Sequence, residues 1–249
     1  MPLSINTNIA SLTAQRSFLN SNSALETAFE RLSTGKRINS ASDDAAGLAI
    51  ATDLNSRVSG LNQAVRNVND GISMVQIMEG TYDEVTSILQ RMRDMAVQAA
   101  NGSLTSTEVE YLDTERTQLN SAINEAIGKA MFANIDLATG GSTTVVIQSG
   151  ASTGDRVTLT LTSQSAANAT QIGVGTMDSV ASATGTTSIG LIDAALGVVA
   201  TQRATLGAHQ AQLESTVRNL SNVAENTAAA AGRIMDTDYA AETANLTKA

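Results

Sequence analysis

The sequence predicts a mainly α protein, a long antiparallel coiled-coil or helical-bundle rod with a small β-hairpin region at its tip. In two long stretches, residues 48–99 and 189–236, apolar residues recur at the alternating spacing of four and three that is typical of a coiled coil. Aromatic residues make up only 2% of the chain, too few for a thick globular core. Between the two stretches charged residues become scarce, and Thr, Ser, Gly and Ala dominate.

The first helix is expected at residues 4–34. Gly35 follows it as the left-handed residue that commonly ends a helix. A helix gains most of its stability by burying its apolar face, so an apolar stripe without a partner favours association with other chains. We therefore expect self-assembly to depend on the stripe of this helix, which consists of Ile5, Ile9, Leu12, Leu19, Leu25 and Leu32.

The second helix is expected to start within residues 40–44, where Ser40 or Ser42 can cap it and two aspartates face its positive end. Two consecutive steps of three residues, from Ile72 to Met78, predict a local overwinding of the supercoil. At 1.5 Å per residue this helix would be roughly 80 Å long. Its predicted seam is Leu54, Val58, Leu61, Val65, Val68, Ile72, Val75, Met78, Tyr82, Val85, Leu89, Met92, Ala96 and Ala99.

A third helix is expected to begin at a capping box formed by Thr105 and Glu108 and to end near Gly128. The short connection after Asn101 predicts that it runs antiparallel to the second helix. Its apolar face is predicted to contain Val109, Leu112, Leu119, Ile123, Ala126 and Ile127.

The middle of the chain predicts a β-hairpin. Thr143–Gln148 and residues 156–162 alternate like strands, and residues 150–155 join them. The remainder, to about Thr187, has low complexity and is expected to form a loop at the tip of the rod.

The last long helix is predicted to run back along the second one. Arg203 and Gln210 weaken its seam, so either a third helix or a neighbouring chain is expected to complete the packing there. Its seven-residue series is Ile192, Val199, Leu206, Leu213, Leu220, Thr227 and Ile234.

Composition excludes several classes of function. The formal net charge of −9 and the pI of about 4.6 argue against a nucleic acid or an anionic membrane as partner. The chain has no cysteine and one histidine, His209, so we expect no metal site, no cofactor and no catalytic residues. No cleavable signal sequence or membrane-spanning segment is expected.

Several segments resemble bacterial flagellin: residues 4–8 (SINTN), 30–41 (ERLSTGKRINSA), 43–50 (DDAAGLAI), 90–98 (QRMRDMAVQ) and 206–235. The resemblance implies a structural subunit of the flagellar filament, which is exported through the flagellar type III apparatus and polymerises outside the cell. It also implies a division of the chain into an inner helix at 1–43, rod segments at 44–133 and 189–236, a hairpin and tip at 134–188, and an inner segment at 237–249.

Flagellins resemble one another in a surface that the vertebrate Toll-like receptor for flagellin recognises. The arginine, apolar residue and glutamate of that surface match Arg91, Met95 and Glu115. Flagellins also usually continue with another apolar helix after the last segment, and the export chaperone binds that C-terminal helix. Since only residues 239–249 remain here, poor assembly and loss of chaperone binding are expected.

Three alternatives remain open at this stage. A zinc protease of the flagellin family would need a metal-binding pair of histidines, but only His209 is present. A cytoplasmic coiled-coil adaptor would explain the heptads but not the Thr- and Ser-rich segment. A junction or cap protein of the same organelle is the structural class closest to a filament subunit.

Overall fold

The computed structural model describes residues 8–101, 103–138, 143–161 and 185–248. It confirms a mainly α fold with a small β region. The helices are α1 Ile9–Thr34, α2 Ala45–Ala99, α3 Ser106–Gly128, α4 Gly185–Met235 and α5 Tyr239–Lys248, and the strands are β1 Met131–Phe132, β2 Ile135–Asp136, β3 Thr143–Gln148 and β4 Arg156–Leu161. The predicted tip loop lies outside the described residues, apart from the first turn of α4, which begins at Gly185 rather than near Ile189.

The chain forms two units. The terminal unit comprises residues 1–61 and 222–249, and the central unit comprises residues 62–221. Both α2 and α4 contribute to each unit, because the divisions fall within these helices.

Helix α1 begins later than the sequence predicted. The side chain of Asn8 accepts a hydrogen bond from the backbone N–H of Ser11, at 3.1 Å, so that Ile9 rather than Ser4 is the first helical residue. Its end is confirmed: Gly35 has φ 70° and donates its N–H to the carbonyl of Arg31.

The predicted serine cap of α2 is wrong. Asp44 precedes the helix, and its Oδ1 accepts the N–H of Gly47 at 2.8 Å, which makes Asp44 the N-cap. Asp43 instead closes the preceding turn by accepting the N–H groups of Ser40 and Asn39. The hydrogen bond from Ser40 contributes most to lowering the pKa of the Asp43 carboxyl.

The seam of α2 differs from the predicted one in its first half. Ala64 and Gly71 are buried, whereas Val65 and Ile72 are half-buried, because the smaller residues allow closer approach of the neighbouring elements. The buried spacing is therefore four and then three, from Gly71 through Val75 to Met78, so the two consecutive steps of three behind the predicted overwinding do not occur in the buried seam. The buried seam in the central unit is Ala64, Val68, Gly71, Val75, Met78, Tyr82, Val85, Leu89, Met92 and Ala96.

Helix α3 starts at the predicted capping box. Glu108 accepts hydrogen bonds from the backbone N–H and hydroxyl of Thr105, each at 2.7 Å, and returns its own N–H to that hydroxyl. These bonds, the backbone one first, lower the pKa of Glu108. Arg91 of α2 pairs with Glu115 of α3 across a short loop, so the two helices are antiparallel as predicted.

Helix α4 packs along α2 in the opposite direction. Arg93 pairs with Asp193 near one end of the contact, and Arg203 pairs with Glu79 and Asp83 further along. Arg203 lies beside the seam rather than in it, and α2 of the same chain supplies its partners. The core of this unit contains Tyr82, and burial raises the pKa of its hydroxyl to about 12.

One window of α4, within Ser188–Met235, reaches a mean hydropathy of 1.2 and is long enough to cross a membrane by composition. The bundle buries its residues Ile192, Val199 and Leu206. Core helices of soluble proteins also pass this test, so one such helix is weak evidence for a membrane span.

The predicted hairpin is confirmed as β3 paired antiparallel with β4, with Val145 opposite Leu159 and Gln148 opposite Arg156. It is held against the central bundle at Gly71 of α2, where a methyl group would overlap the Cδ1 atom of Ile147. Asn67, one turn earlier, donates to the carbonyl of Gln148 at 3.3 Å. A glycine on the helix thus provides the space that β3 occupies.

A second, very short hairpin was not predicted. Strands β1 and β2 pair antiparallel, with Phe132 opposite Ile135. The two turn residues between them have positive φ values, 44° for Ala133 and 72° for Asn134. Alanine is uncommon in that conformation, so composition gave little indication of this turn.

In the terminal unit, two segments nearly two hundred residues apart are joined by their backbones. Arg37 donates its N–H to the carbonyl of Met235 at 2.6 Å, and Thr237 donates to Gly35 at 3.0 Å. Lys36 and Asp236 form the bridge between these bonds. Beyond it, Asp238 accepts the N–H of Ala240 at 2.9 Å and starts helix α5. This helix was not predicted from the sequence.

Candidate functional site

The first candidate site is the apolar surface of α1. Ile9, Leu12, Phe18 and Leu19 are between 53% and 72% exposed, and none of them is covered within the described chain. An apolar depression on this helix is lined by Ala14, Gln15, Phe18 and Leu19. This stretch of α1 therefore exposes several large apolar side chains to solvent, a feature that marks interaction sites.

Helix α5 covers only the last part of α1. Ala28 is buried there, and Leu25 and Leu32 are half-buried. The guanidinium Nη1 of Arg31 lies 3.8 Å from the carboxylate of Glu242, whose side chain is almost fully buried. The antiparallel contact continues to Gly35, above which the Tyr239 ring lies.

The predicted assembly residues therefore fall into two groups. Ile9, Leu12 and Leu19 lie on the exposed surface, whereas Leu25 and Leu32 lie where α5 packs. Ile5 lies outside the described residues. Phe18, with an exposed ring, was not among the predicted assembly residues, although its size and its place in the helix were visible in the sequence.

The second candidate site lies on α2 and α3 of the central unit. Nε of Arg91 donates to Oε1 of Glu115 at 3.0 Å, and both side chains remain largely accessible. Met95, one turn after Arg91, is only 8% exposed. The structure thus brings two of the three predicted receptor residues together at the surface and turns the third toward the core.

Tyr111 is the exposed aromatic residue nearest to this pair along α3. It is 70% exposed and precedes Glu115 by one helical turn, which places both on the same face of the helix. The sequence alone could not identify Tyr111 as exposed, because an apolar residue at helical spacing more often faces the core.

The described residues contain no group of three or more histidines, aspartates and glutamates arranged to hold a metal ion. His209 is half-buried on α4. The exposed apolar surface of α1 and the ion pair between α2 and α3 are both suited to binding macromolecules rather than to chemistry on a substrate.

Two family models match the chain. The bacterial flagellin N-terminal helical region matches residues 5–143, and the bacterial flagellin C-terminal helical region matches residues 189–249. Together they include every described helix except the first turn of α4.

Curated relatives agree with the family models. A flagellin of Halalkalibacterium halodurans is 39% identical over 245 residues, covering 98% of this chain and 89% of the relative. Flagellin A of Vibrio anguillarum is 31% identical, covering 100% and 93% respectively. That alignment extends over 353 positions, so the Vibrio protein has insertions that this 249-residue chain lacks.

Solved structures show the same fold. The crystal structure of Bacillus cereus flagellin matches with a TM-score of 0.56 and 30% identity, over 67% of this chain and 94% of that one. A putative flagellar hook-associated protein from Vibrio parahaemolyticus matches with a TM-score of 0.64 but 18% identity, a likeness of fold alone. The chain therefore belongs to the bacterial flagellin family, the extracellular structural subunits of the flagellar filament rather than enzymes.

Proposed function

We propose that the exposed apolar surface of α1 is the part of this filament subunit that binds neighbouring subunits. The observation that carries the proposal is the exposure of Ile9, Leu12, Phe18 and Leu19 on one helix, beside a segment of the same helix that α5 already covers. Burying such side chains stabilises an association by about 1.5–3 kcal/mol each. Contacts between unlike surfaces of identical subunits produce a helical polymer when the rotation between subunits does not close into a ring.

The test replaces Leu12 and Leu19 with aspartate in the full chain, under conditions in which the unchanged chain forms filaments. Both residues are exposed in the subunit, so the helical circular dichroism signal should be kept while filaments disappear from electron micrographs. Thr13→Asp with Asn20→Asp is the matched control, because it adds the same charges at the same spacing to adjacent exposed positions without removing apolar surface. Filaments from the leucine variant, or their loss in both variants, would contradict the proposal.

A second function is favoured by the geometry of Arg91 and Glu115. Their ion pair joins α2 and α3 at an accessible surface, which supports recognition by the Toll-like receptor for flagellin. Arginine is enriched among the residues that dominate protein–protein affinity. Arg91→Ala is expected to weaken receptor binding about tenfold or more in a binding assay with the purified receptor ectodomain.

The control for this test is Arg57→Ala. Arg57 forms an ion pair with Asp53 that is similarly exposed but lies in the terminal unit. Its replacement should leave receptor binding unchanged. Equal loss in the two variants, or unchanged binding by Arg91→Ala, would count against receptor recognition at this surface.

The buried position of Met95 sharpens this proposal. Met95→Ala should act mainly through the free energy of unfolding, since the loss of a buried methionine side chain costs about 2–5 kcal/mol. Tyr111→Ala should leave stability nearly unchanged and weaken receptor binding, because its ring is exposed beside Glu115. Weakened receptor binding with unchanged stability for Met95→Ala, and unchanged binding for Tyr111→Ala, would show that Met95 itself contacts the receptor.

Export through the flagellar type III apparatus is also part of the proposed function. It is supported by membership of the bacterial flagellin family. Secretion into the medium should stop when the flagellar export gate is inactivated and continue when the general secretion pathway is inhibited. Secretion with the opposite dependence would contradict this route.

A further inference from the structure

The apolar seam between α2 and α4 leaves their axial alignment weakly determined. The buried residues of α4 repeat every seven positions, at Ile192, Val199, Leu206 and Leu213, and the seam of α2 has the same period. Sliding one helix by seven residues, about 10 Å, again places apolar side chains opposite one another. The backbone bridge between Lys36 and Asp236 is such a fixed point in the terminal unit, and in the central unit the alignment needs a feature of its own that does not repeat.

We propose that Arg203 is this feature, a positioning residue that sets the axial alignment of α4 on α2. Its Nε donates to Glu79 at 2.9 Å, and its Nη1 donates to Asp83 at 3.1 Å. The two carboxylates are one helical turn apart on α2, so the planar guanidinium reaches both from a single position. Arg203 lies beside the seam, where charged residues set orientation and partner choice in coiled coils.

A shift by one heptad removes both contacts in either direction. The residues seven positions before Glu79 and Asp83 are Ile72 and Gln76, and those seven positions after them are Thr86 and Gln90. None of the four carries a charge. The acidic partners of Arg203 therefore occur once along this part of the seam, and a shifted helix leaves the arginine without a carboxylate.

The second ion pair between these helices is also lost when one helix shifts by one heptad. Nε of Arg93 donates to Asp193 at 2.7 Å. Seven residues beyond Asp193 lies Ala200, and the residues seven positions before and after Arg93 are Thr86 on α2 and Ala100 just beyond its end. In the described part of α2 and α4, both ion-paired sites thus disfavour shifted alignments.

The role of Arg203 is specificity rather than stability. Its side chain is 34% exposed, and partly exposed ion pairs contribute little to the free energy of unfolding. A shifted α4 would move its outward-facing residues along α2, which changes the surface that a subunit presents to its neighbours. Loss of Arg203 should therefore alter alignment while the helical content stays the same.

Introduced cysteines can measure the alignment directly, because the chain has no cysteine of its own. Arg93→Cys with Asp193→Cys reports the native alignment, and Arg93→Cys with Ala200→Cys reports the shift by one heptad. Both pairs remove the Arg93 guanidinium, so among the two ion-paired sites Arg203 alone remains to set the alignment, and with a short bismaleimide the first pair should crosslink predominantly. In the Arg203→Gln background the ratio of native to shifted crosslinking is expected to fall about fivefold.

Two further variants separate alignment from general damage. Exchanging the charges, by Arg203→Glu with Glu79→Arg and Asp83→Arg, should restore the native ratio, which a role in packing alone would not do. Lys129→Gln removes an exposed ion pair that does not join the two helices and should leave the ratio unchanged.

Should Arg203→Gln fail to fold, Glu79→Gln with Asp83→Asn removes the same contacts from the α2 side and should give the same fall. An unchanged ratio in the neutral variants, or a charge exchange that retains the shifted ratio, would overturn the proposal.

Discussion

Two helices with similar apolar spacing have opposite surroundings in this molecule. The seam of α2 in the central unit is buried almost without interruption from Ala64 to Ala96, against α3, α4 and the β3–β4 hairpin. In the terminal unit, α1 buries only Ala28 and leaves Leu12, Phe18 and Leu19 exposed. Periodicity therefore identifies a face that favours burial, whereas the elements nearby decide whether the subunit covers it or offers it to another molecule.

The largest expected difference is between truncating the buried Tyr82 of α2 and truncating the exposed Phe18 of α1. Tyr82→Ala should lower the free energy of unfolding by about 3–5 kcal/mol, the range for large aromatic truncations in a core. Phe18→Ala should change it by no more than about 0.5 kcal/mol, because its ring is already in water. Urea unfolding followed by circular dichroism measures both. Similar losses for the two variants would show that α1 is covered within the subunit.

The next effect concerns the contact between Gly71 in the seam of α2 and Ile147 of β3. Gly71→Ala should destabilise the central unit by about 1–3 kcal/mol, since the added methyl group overlaps Ile147 in a packed core. Gly207→Ala, in open space on α4, should instead stabilise by about 1 kcal/mol because alanine favours a helix. Combining Gly71→Ala with Ile147→Val removes the overlapping atom and should recover most of the loss in thermal unfolding. If it does not, the contact at Gly71 is not the cause.

A smaller effect concerns the start of α3. Thr105→Ala should cost about 1 kcal/mol, the usual price of losing an N-cap side chain. The pKa of Glu108 is lowered from 4.5 by its hydrogen bonds with Thr105, so its contribution is present above that pH and is lost as the pH falls through the lower folded-state value. Glu108→Gln should therefore destabilise the protein at pH 7 and become neutral in strong acid. A cost that is independent of pH would contradict the capping role of the carboxylate.

The smallest expected change in stability concerns a buried polar side chain of α4. The hydroxyl of Ser188 on α4 is buried and has no hydrogen-bond partner among the residues that the structure describes. Ser188→Ala should raise stability by up to about 1 kcal/mol, because the desolvated hydroxyl is removed. Ser73→Ala is the control, since that exposed hydroxyl already donates to the carbonyl of Asn69, and it should be nearly neutral. A destabilised Ser188→Ala would indicate that the buried hydroxyl has a partner.

The long helices could be predicted from the sequence because their heptad spacing persists over many turns. The seam of α2 was less predictable, since Ala64 and Gly71 are small and compete in any apolar pattern with Val65 and Ile72. Which of two adjacent residues faces the core depends on what packs against it. At Gly71 that element is β3, which is distant in sequence.

Short elements were the least predictable. Strands β1 and β2 have two residues each, too few for an alternating pattern, and their turn uses Ala133 where glycine or asparagine would have been a signal. Helix α5 has ten residues, and its best indicator, Asp238 as the capping residue, occurs in a polar stretch that resembled a loop. For the candidate sites, Arg91, Met95 and Glu115 were identified from the resemblance to flagellins, which indicated neither the ion pair of Arg91 with Glu115 nor the burial of Met95.

The backbone bridge between Lys36 and Asp236 has a consequence for the order of folding. Its two residues are 200 positions apart in the chain, so a growing chain cannot close it until Asp236 has been synthesised. The helical hairpin of α2 and α3 involves neighbours in sequence and can form much earlier. Until the bridge closes, α1 has no α5 to pack against, and its entire length remains available to whatever meets the nascent chain first.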